Sequence, residues 1–147
     1  MSLTILYGTE SGNAEMAAEE LADAIGATAV DLIDLEPADL NLDDTFLIVC
    51  STYGDGELPA SAQPFVDRLL AEKPNLRGMR YAIFGLGDSG YAESYSLGST
   101  RLAEHLDALG AQRFGEFGRH DASSGEDLVE TVQQWADSTL TEATHAA

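Results

Sequence analysis

The chain has 147 residues, 44% of them hydrophobic, a size and composition that fit one domain with a buried core. Twenty-six acidic residues against seven basic ones give a formal charge of -19, which repels nucleic-acid phosphates and anionic membranes and argues against both as partners. With no basic-then-apolar leader, no apolar run near ~18 residues and a single cysteine, Cys50, the sequence predicts a soluble, cytoplasmic, monomeric protein without an internal disulfide or a cysteine-built metal cage.

The first predicted strand runs from Leu3 to Tyr7 and breaks at Gly8 into Thr9-Glu10-Ser11-Gly12-Asn13. Ala14, Ala17, Ala18, Leu21, Ala22 and Ile25 then recur at helical spacing. A loop between a strand end and a helix start gathers backbone N–H groups and the positive end of the helix dipole at one point, a seat for a phosphate. Thr9 and Ser11 add hydroxyls. No Lys or Arg occurs between Met1 and Asp67, so a phosphate here would be held by dipoles without a cation. The triphosphatase pattern G-x-x-x-x-G-K-[ST] is absent, and Gly8 to Gly12 does not supply the dinucleotide pattern G-x-G-x-x-G. Two readings of this loop stay open: a cradle for a phosphate monoester, or a plain helix cap made of residue types favoured there.

Farther along, Ala29 to Leu35 reads as a short second strand and Thr45 to Cys50 as a third, apolar throughout as a strand covered on both faces would be. Cys50, at its end, is expected to be a buried small hydrophobe. The turn-rich Ser51-Thr52-Tyr53-Gly54-Asp55-Gly56-Glu57-Leu58-Pro59 follows. Next come a helix through Ala62, Phe65, Val66, Leu69 and Leu70 that stops before Pro74, and a strand from Tyr81 to Phe84. The strand breaks at Gly85-Leu86-Gly87-Asp88-Ser89-Gly90-Tyr91. A helix carrying Leu102, Ala103, Leu106 and Leu109 ends at Gly110, where a left-handed cap favours glycine. Arg113 to Phe117 reads as the fifth strand, Leu128 to Ala136 as the core of a last helix, and Thr141 to Ala147 as a frayed tail. His105, His120 and His145 are scattered, expected to face solvent, and show no metal spacing.

Strand and helix alternate five times, which predicts an α/β fold with a parallel sheet covered by helices on both faces. Right-handed crossovers put every strand-to-helix loop at one rim. Of fourteen glycines, seven lie in the loops after strands one, three and four, which are neighbours in the order 2-1-3-4-5, and the reversal between strands one and three is where such sheets bind ligands. Tyr53 and Tyr91 reach this rim from separate loops and together could hold a flat ring by stacking, although each alone could equally pack on its own loop. Gly85 to Gly90 matches G-x-G-x-x-G, but the acids about 20 residues on, Glu104 and Asp107, sit in a helix rather than at a strand end, so an NAD site is rejected. A phospho-receiver is also a poor match, since Gly8-Thr9, Ser51-Thr52 and Gly118-Arg119 stand where it needs an acidic pair, an Asp and a Lys.

Three motifs in register resemble the flavodoxins and the FMN domains of diflavin reductases. Thr9-Glu10-Ser11-Gly12-Asn13-Ala14 resembles the family's phosphate loop. Ser51-Thr52-Tyr53-Gly54-Asp55-Gly56-Glu57 is similar to the loop over one face of the isoalloxazine, and Leu86-Gly87-Asp88 with Tyr91 and Tyr95 to the loop over the other. The resemblance covers roughly Leu3 to Trp135. It implies a flavodoxin-like three-layer fold with a five-stranded parallel sheet, and a cofactor, FMN, through which a non-enzymatic carrier shuttles single electrons. Thr9 to Ala14 would then bind phosphate, Tyr53 and Tyr91 flank the ring, and Gly54 with Asp55 lie near the reactive flavin nitrogen. Leu86, Gly87 and Asp88 would meet the pyrimidine edge through backbone groups. The Tyr91-x-x-x-Tyr95 spacing departs from the Tyr-x-x-Phe of diflavin domains, and the missing insertion in the last strand resembles the short-chain kind. The implied partners are a flavin- or NADPH-dependent reductase and an acceptor redox enzyme, each offering a basic surface to this acidic chain. An FMN-dependent quinone-type reductase, a flavodoxin-shaped module without flavin, or a MioC-type relative are the competing readings.

Overall fold

The computed structural model describes residues 3–9, 12–51, 58–87, 97–115, 117–121 and 127–146. Its chain alternates β1 (Leu3–Gly8), α1 (Asn13–Ile25), β2 (Thr28–Asp31), β3 (Thr45–Ser51), α2 (Gln63–Glu72), β4 (Arg80–Gly87), α3 (Leu97–Ala108), β5 (Gln112–Arg113), β6 (Gly118–Asp121) and α4 (Leu128–Ala146). All described pairings are parallel, in the expected order β2-β1-β3-β4-β5.

Because successive strand side chains point to opposite faces, each apolar strand feeds two cores. Leu6, Phe46, Ile48, Tyr81 and Ile83 face one core with Phe65, Val66 and Leu69 of α2 and Leu102 and Leu106 of α3. Ile5, Tyr7, Leu47, Val49, Ala82 and Phe84 face the other with α1 and with Val132, Trp135 and Ala136 of α4. Helix α1 buries Ala14, Ala17, Ala18 and Ala22 around Leu21, and small side chains let its backbone sit close to the sheet. Helix α3 ends in a Schellman turn: Ala111 N–H donates to Leu106 O at 3.2 Å and Gly110 N–H to Asp107 O at 3.1 Å. Gly110 takes the left-handed φ of 106° that this cap demands.

Four boundaries differ from the sequence reading. The second strand stops at Asp31, whose carboxylate accepts from Ile33 N–H at 3.1 Å and starts a 3-10 turn over Leu32–Asp34. Arg68 of α2 holds that turn in place, its Nη2 donating to Leu32 O at 3.1 Å, Ile33 O at 3.2 Å and Leu35 O at 2.7 Å. Glu36 approaches Arg68 Nε at 3.6 Å, too long for a hydrogen bond, and at 57% exposure this ion pair adds little. The fourth strand extends through Gly85 to Gly87, because a glycine within a ladder keeps its backbone bonds. Helix α4 continues to Ala146, past the predicted start of a frayed tail.

The largest difference concerns the fifth strand, predicted over Arg113 to Phe117. Arg80 pairs with Gln112 and Phe84 with Gly118, so four steps along β4 are matched by six along its neighbour, and the lane is split into β5 and β6. Gly115, at φ 71°, cannot be extended and marks the bulge. Arg80 stacks over Phe114 at 5.3 Å, while Arg113 and Arg119 stack over Phe117 at 5.4 and 4.1 Å. A broken edge with charges laid across its aromatics is a poor template for further strand pairing.

Candidate functional site

Parallel strands deliver their carboxyl ends to one rim. Gly8 lies beside Cys50, Ser51 beside Leu86, and Gly87 beside Asp121, which aligns Thr9, Ser51 and Leu86-Gly87 in adjacent lanes. Neighbouring lanes are spaced by about 4.8 Å.

The turn after β1 is built by hydrogen bonds from two directions. Thr9 Oγ1 accepts from Gly12 N–H at 2.8 Å, closing the loop on itself. Thr9 N–H donates to Ser61 Oγ at 2.7 Å, and Ser61 N–H donates to Thr9 O at 3.2 Å. Gly12 adopts φ 97° and ψ -5°, a left-handed conformation suited to glycine. It is also the N-cap of α1 and, lacking a side chain, offers no side-chain acceptor to the first-turn amides. The first helical bond recorded there is Met16 N–H to Gly12 O at 2.9 Å, so the amides of Asn13, Ala14 and Glu15 precede the intrahelical ladder. These donors and the dipole of a 13-residue helix fit a phosphate monoester.

The surrounding field opposes it. The Tyr7 hydroxyl is held above its usual pKa, first by burial and then by the carboxylates of Glu15, Asp31, Glu19 and Asp34. An anion entering this rim gains from aligned amides and loses to nearby carboxylates, so firm binding requires a ligand that also buries an apolar body.

Of the residues expected at the site, Thr9, Gly12, Asn13, Ala14, Ser51, Leu86 and Gly87 are described, and all lie at or next to this rim. Ala14 is fully buried and Leu86 nearly so, which leaves their peptide groups, not their side chains, for a ligand. Ser51 Oγ donates to Gly8 O at 3.4 Å, a long bond that a better acceptor could replace. Glu10, Ser11, Thr52, Tyr53, Gly54, Asp55, Gly56, Asp88, Tyr91 and Tyr95 lie outside the described residues. Sequence reasoning missed Ser61. A serine just ahead of a helix reads as its cap, yet Ala62 is the N-cap of α2 and Ser61 bonds to Thr9, just past β1, instead.

His120 corrects a second expectation: it is buried, because β6 turns it inward opposite Leu86. Among the described residues no group of His, Cys, Asp and Glu could hold a metal ion, and no helix is long and apolar enough to cross a membrane.

Cys50 is fully buried, as expected, and burial pushes its thiol from 9.0 up to about 12. Below pH 9 the thiol is protonated in both folded and unfolded chains and its contribution is constant. Between pH 9 and 12 the unfolded chain releases the proton while the folded chain keeps it, so stability falls as pH rises through that window. Tyr81, raised by burial and by its bond to Asp107, acts in the same direction. Urea midpoints are therefore expected to decline above pH 9, and less steeply in Cys50→Ala. At pH 8 a thiol reagent should label the native chain far more slowly than the urea-unfolded one.

Comparison with known proteins bears on this geometry. The family model for flavodoxin matches residues 5–135. The NADPH-dependent diflavin oxidoreductase 1 of Schizosaccharomyces pombe is 34% identical over 139 residues, covering 89% of this chain and 24% of that protein. The mitochondrial pyruvate dehydrogenase [NADP(+)] of Euglena gracilis is 38% identical over 138 residues, covering 88% of this chain and 7% of that protein. The chain thus spans a quarter or less of these relatives. Among solved structures, a cysteine-to-serine mutant of flavodoxin from Pseudomonas aeruginosa aligns with a TM-score of 0.80 at 30% identity, over 97% of this chain and 99% of that one. Oxidised Flavodoxin 1 from Bacillus cereus aligns with a TM-score of 0.77 at 26% identity, over 96% and 98% respectively.

Proposed function

Because this chain belongs to the flavodoxin family, we propose that it is an FMN-containing carrier that passes single electrons from a reductase to an acceptor enzyme. The observation that carries this reading is the cation-free anion seat at the rim, where Gly12 leaves the start of α1 uncapped beside Thr9. Bound FMN supplies one-electron exchange at its ring. Thr9, Glu10, Ser11, Gly12, Asn13 and Ala14 would hold the phosphate through amides and hydroxyls. Ser51 to Gly56 would line one side of the ring, and Leu86, Gly87 and Asp88 would meet its polar edge through peptide groups. Tyr53 and Tyr91 would flank the ring and exclude water, Tyr95 belonging to the same motif as Tyr91.

Charge supports the docking half of the proposal. Fourteen of the 26 acidic residues and none of the seven basic ones lie in residues 1–67. That segment builds β1, β2, β3, α1 and the start of α2, so one lateral half of the sheet is almost purely anionic. A basic patch on an NADPH-dependent reductase or on an acceptor enzyme would be steered toward it.

The test is a titration of FMN fluorescence with the ligand-free protein. Quenching that saturates with micromolar protein is expected, and fluorescence that stays bright would overturn the proposal. A carrier should show no steady-state oxidation of NADPH with a quinone acceptor unless a reductase is added.

A further inference from the structure

We infer that Ser61 is a positioning residue for the phosphate subsite, acting through Thr9. This rests on the phosphate reading of the loop after β1 given above. Ser61 is 6% exposed and lies 52 residues from Thr9 in sequence, yet it bonds to both backbone polar groups of Thr9. The hydroxyl of Ser61 accepts from Thr9 N–H at 2.7 Å and its amide donates to Thr9 O at 3.2 Å.

The consequence is a fixed direction for Thr9. With its N–H and C=O both tied to Ser61, the Thr9 side chain is oriented so that Oγ1 meets Gly12 N–H at 2.8 Å, and that contact holds Gly12 in its left-handed cap. Gly12 in turn sets where the first-turn amides of α1 point. Thr9 N–H is itself withdrawn from ligand binding by Ser61, so the subsite relies on the amides that follow Gly12. Neither α2 nor its own cap uses the Ser61 hydroxyl, since Ala62 is the N-cap and no side chain caps that helix.

The test compares FMN with riboflavin, which lacks the phosphate, in the wild type and in Ser61→Ala. In the variant the half-buried Thr9 amide loses its acceptor, and FMN affinity is expected to fall about tenfold while riboflavin affinity stays within about twofold. A merely structural role would weaken both ligands alike, and that result, or no change in either, would overturn the assignment. If the wild type binds FMN no better than riboflavin, the phosphate reading fails and the assignment falls with it. Hydrogen exchange on the ligand-free wild type provides a second measurement independent of the variant's folding. The Thr9 amide should be protected, and exchange at the rate of an unstructured chain would overturn the proposal.

Discussion

Replacing Gly118 with alanine is expected to destabilise the protein by about 3 kcal/mol, the upper end of what overpacking a core costs. A methyl group at this position would lie 2.5 Å from Phe84 Cδ2, 2.5 Å from Trp135 Cδ1 and 2.8 Å from Trp135 Nε1. Neither ring is free to retreat. Phe84 is on the interior strand β4 and 1% exposed, and its centroid sits 5.3 Å from that of Trp135 at 59°. Either β6 must leave the sheet or α4 must lift from it. For a domain of this size the loss should lower the melting temperature by about 6–12 °C. Trp135→Leu in the same chain removes two of the three clashes, so the double variant should be less destabilised than the sum of the single ones. Additive losses would mean that the Gly118 effect does not arise from contact with Trp135.

The second large effect is expected at Gly8→Ala, where stability and ligand binding should move together. An added Cβ would meet Ala62 Cβ at 2.9 Å, Cys50 Sγ at 3.3 Å and Leu32 Cδ1 at 3.4 Å. Ala62 is the atom that must give way, and a Cβ cannot move without its backbone, so the start of α2 is pushed from the end of β1. Ser61 precedes Ala62 and is bonded to Thr9, so the same displacement pulls apart the contact that holds the phosphate loop. We expect a loss of about 1–2 kcal/mol in folding stability and at least a tenfold loss in FMN affinity. Ala62→Gly in the Gly8→Ala background opens the space again and should restore most of both. A Gly8→Ala protein that binds FMN normally would show that the loop does not depend on this close approach.

These two glycines mark where reading along the chain stops being informative. Gly8 is visible in sequence as the end of an apolar run, and Gly118 as one residue in a polar stretch. Nothing local to either reveals the Ala62 methyl or the Trp135 ring pressed against it. The same holds for the edge lane. Val, Ile and Leu runs announce β1, β3 and β4, but the fifth lane is short and polar, and its bulge arises from pairing with β4 on both sides of Gly115. His120 was misplaced for a related reason, since its burial follows from lying opposite Leu86.

Thr9, Ser51 and Gly87 stand at or just past strand ends and Gly12 at the start of α1, positions that sequence signals within a few residues. Apolar period and glycine punctuation by themselves determined the α/β class and the loops that form the rim, because these depend on which faces must be buried and where the backbone must turn. Tertiary structure alone decided that Ser61 serves Thr9, that Arg68 holds the turn after β2, and that the last lane divides. Each of these joins residues more than thirty positions apart or depends on register between lanes, and periodicity along one chain carries no record of such pairs.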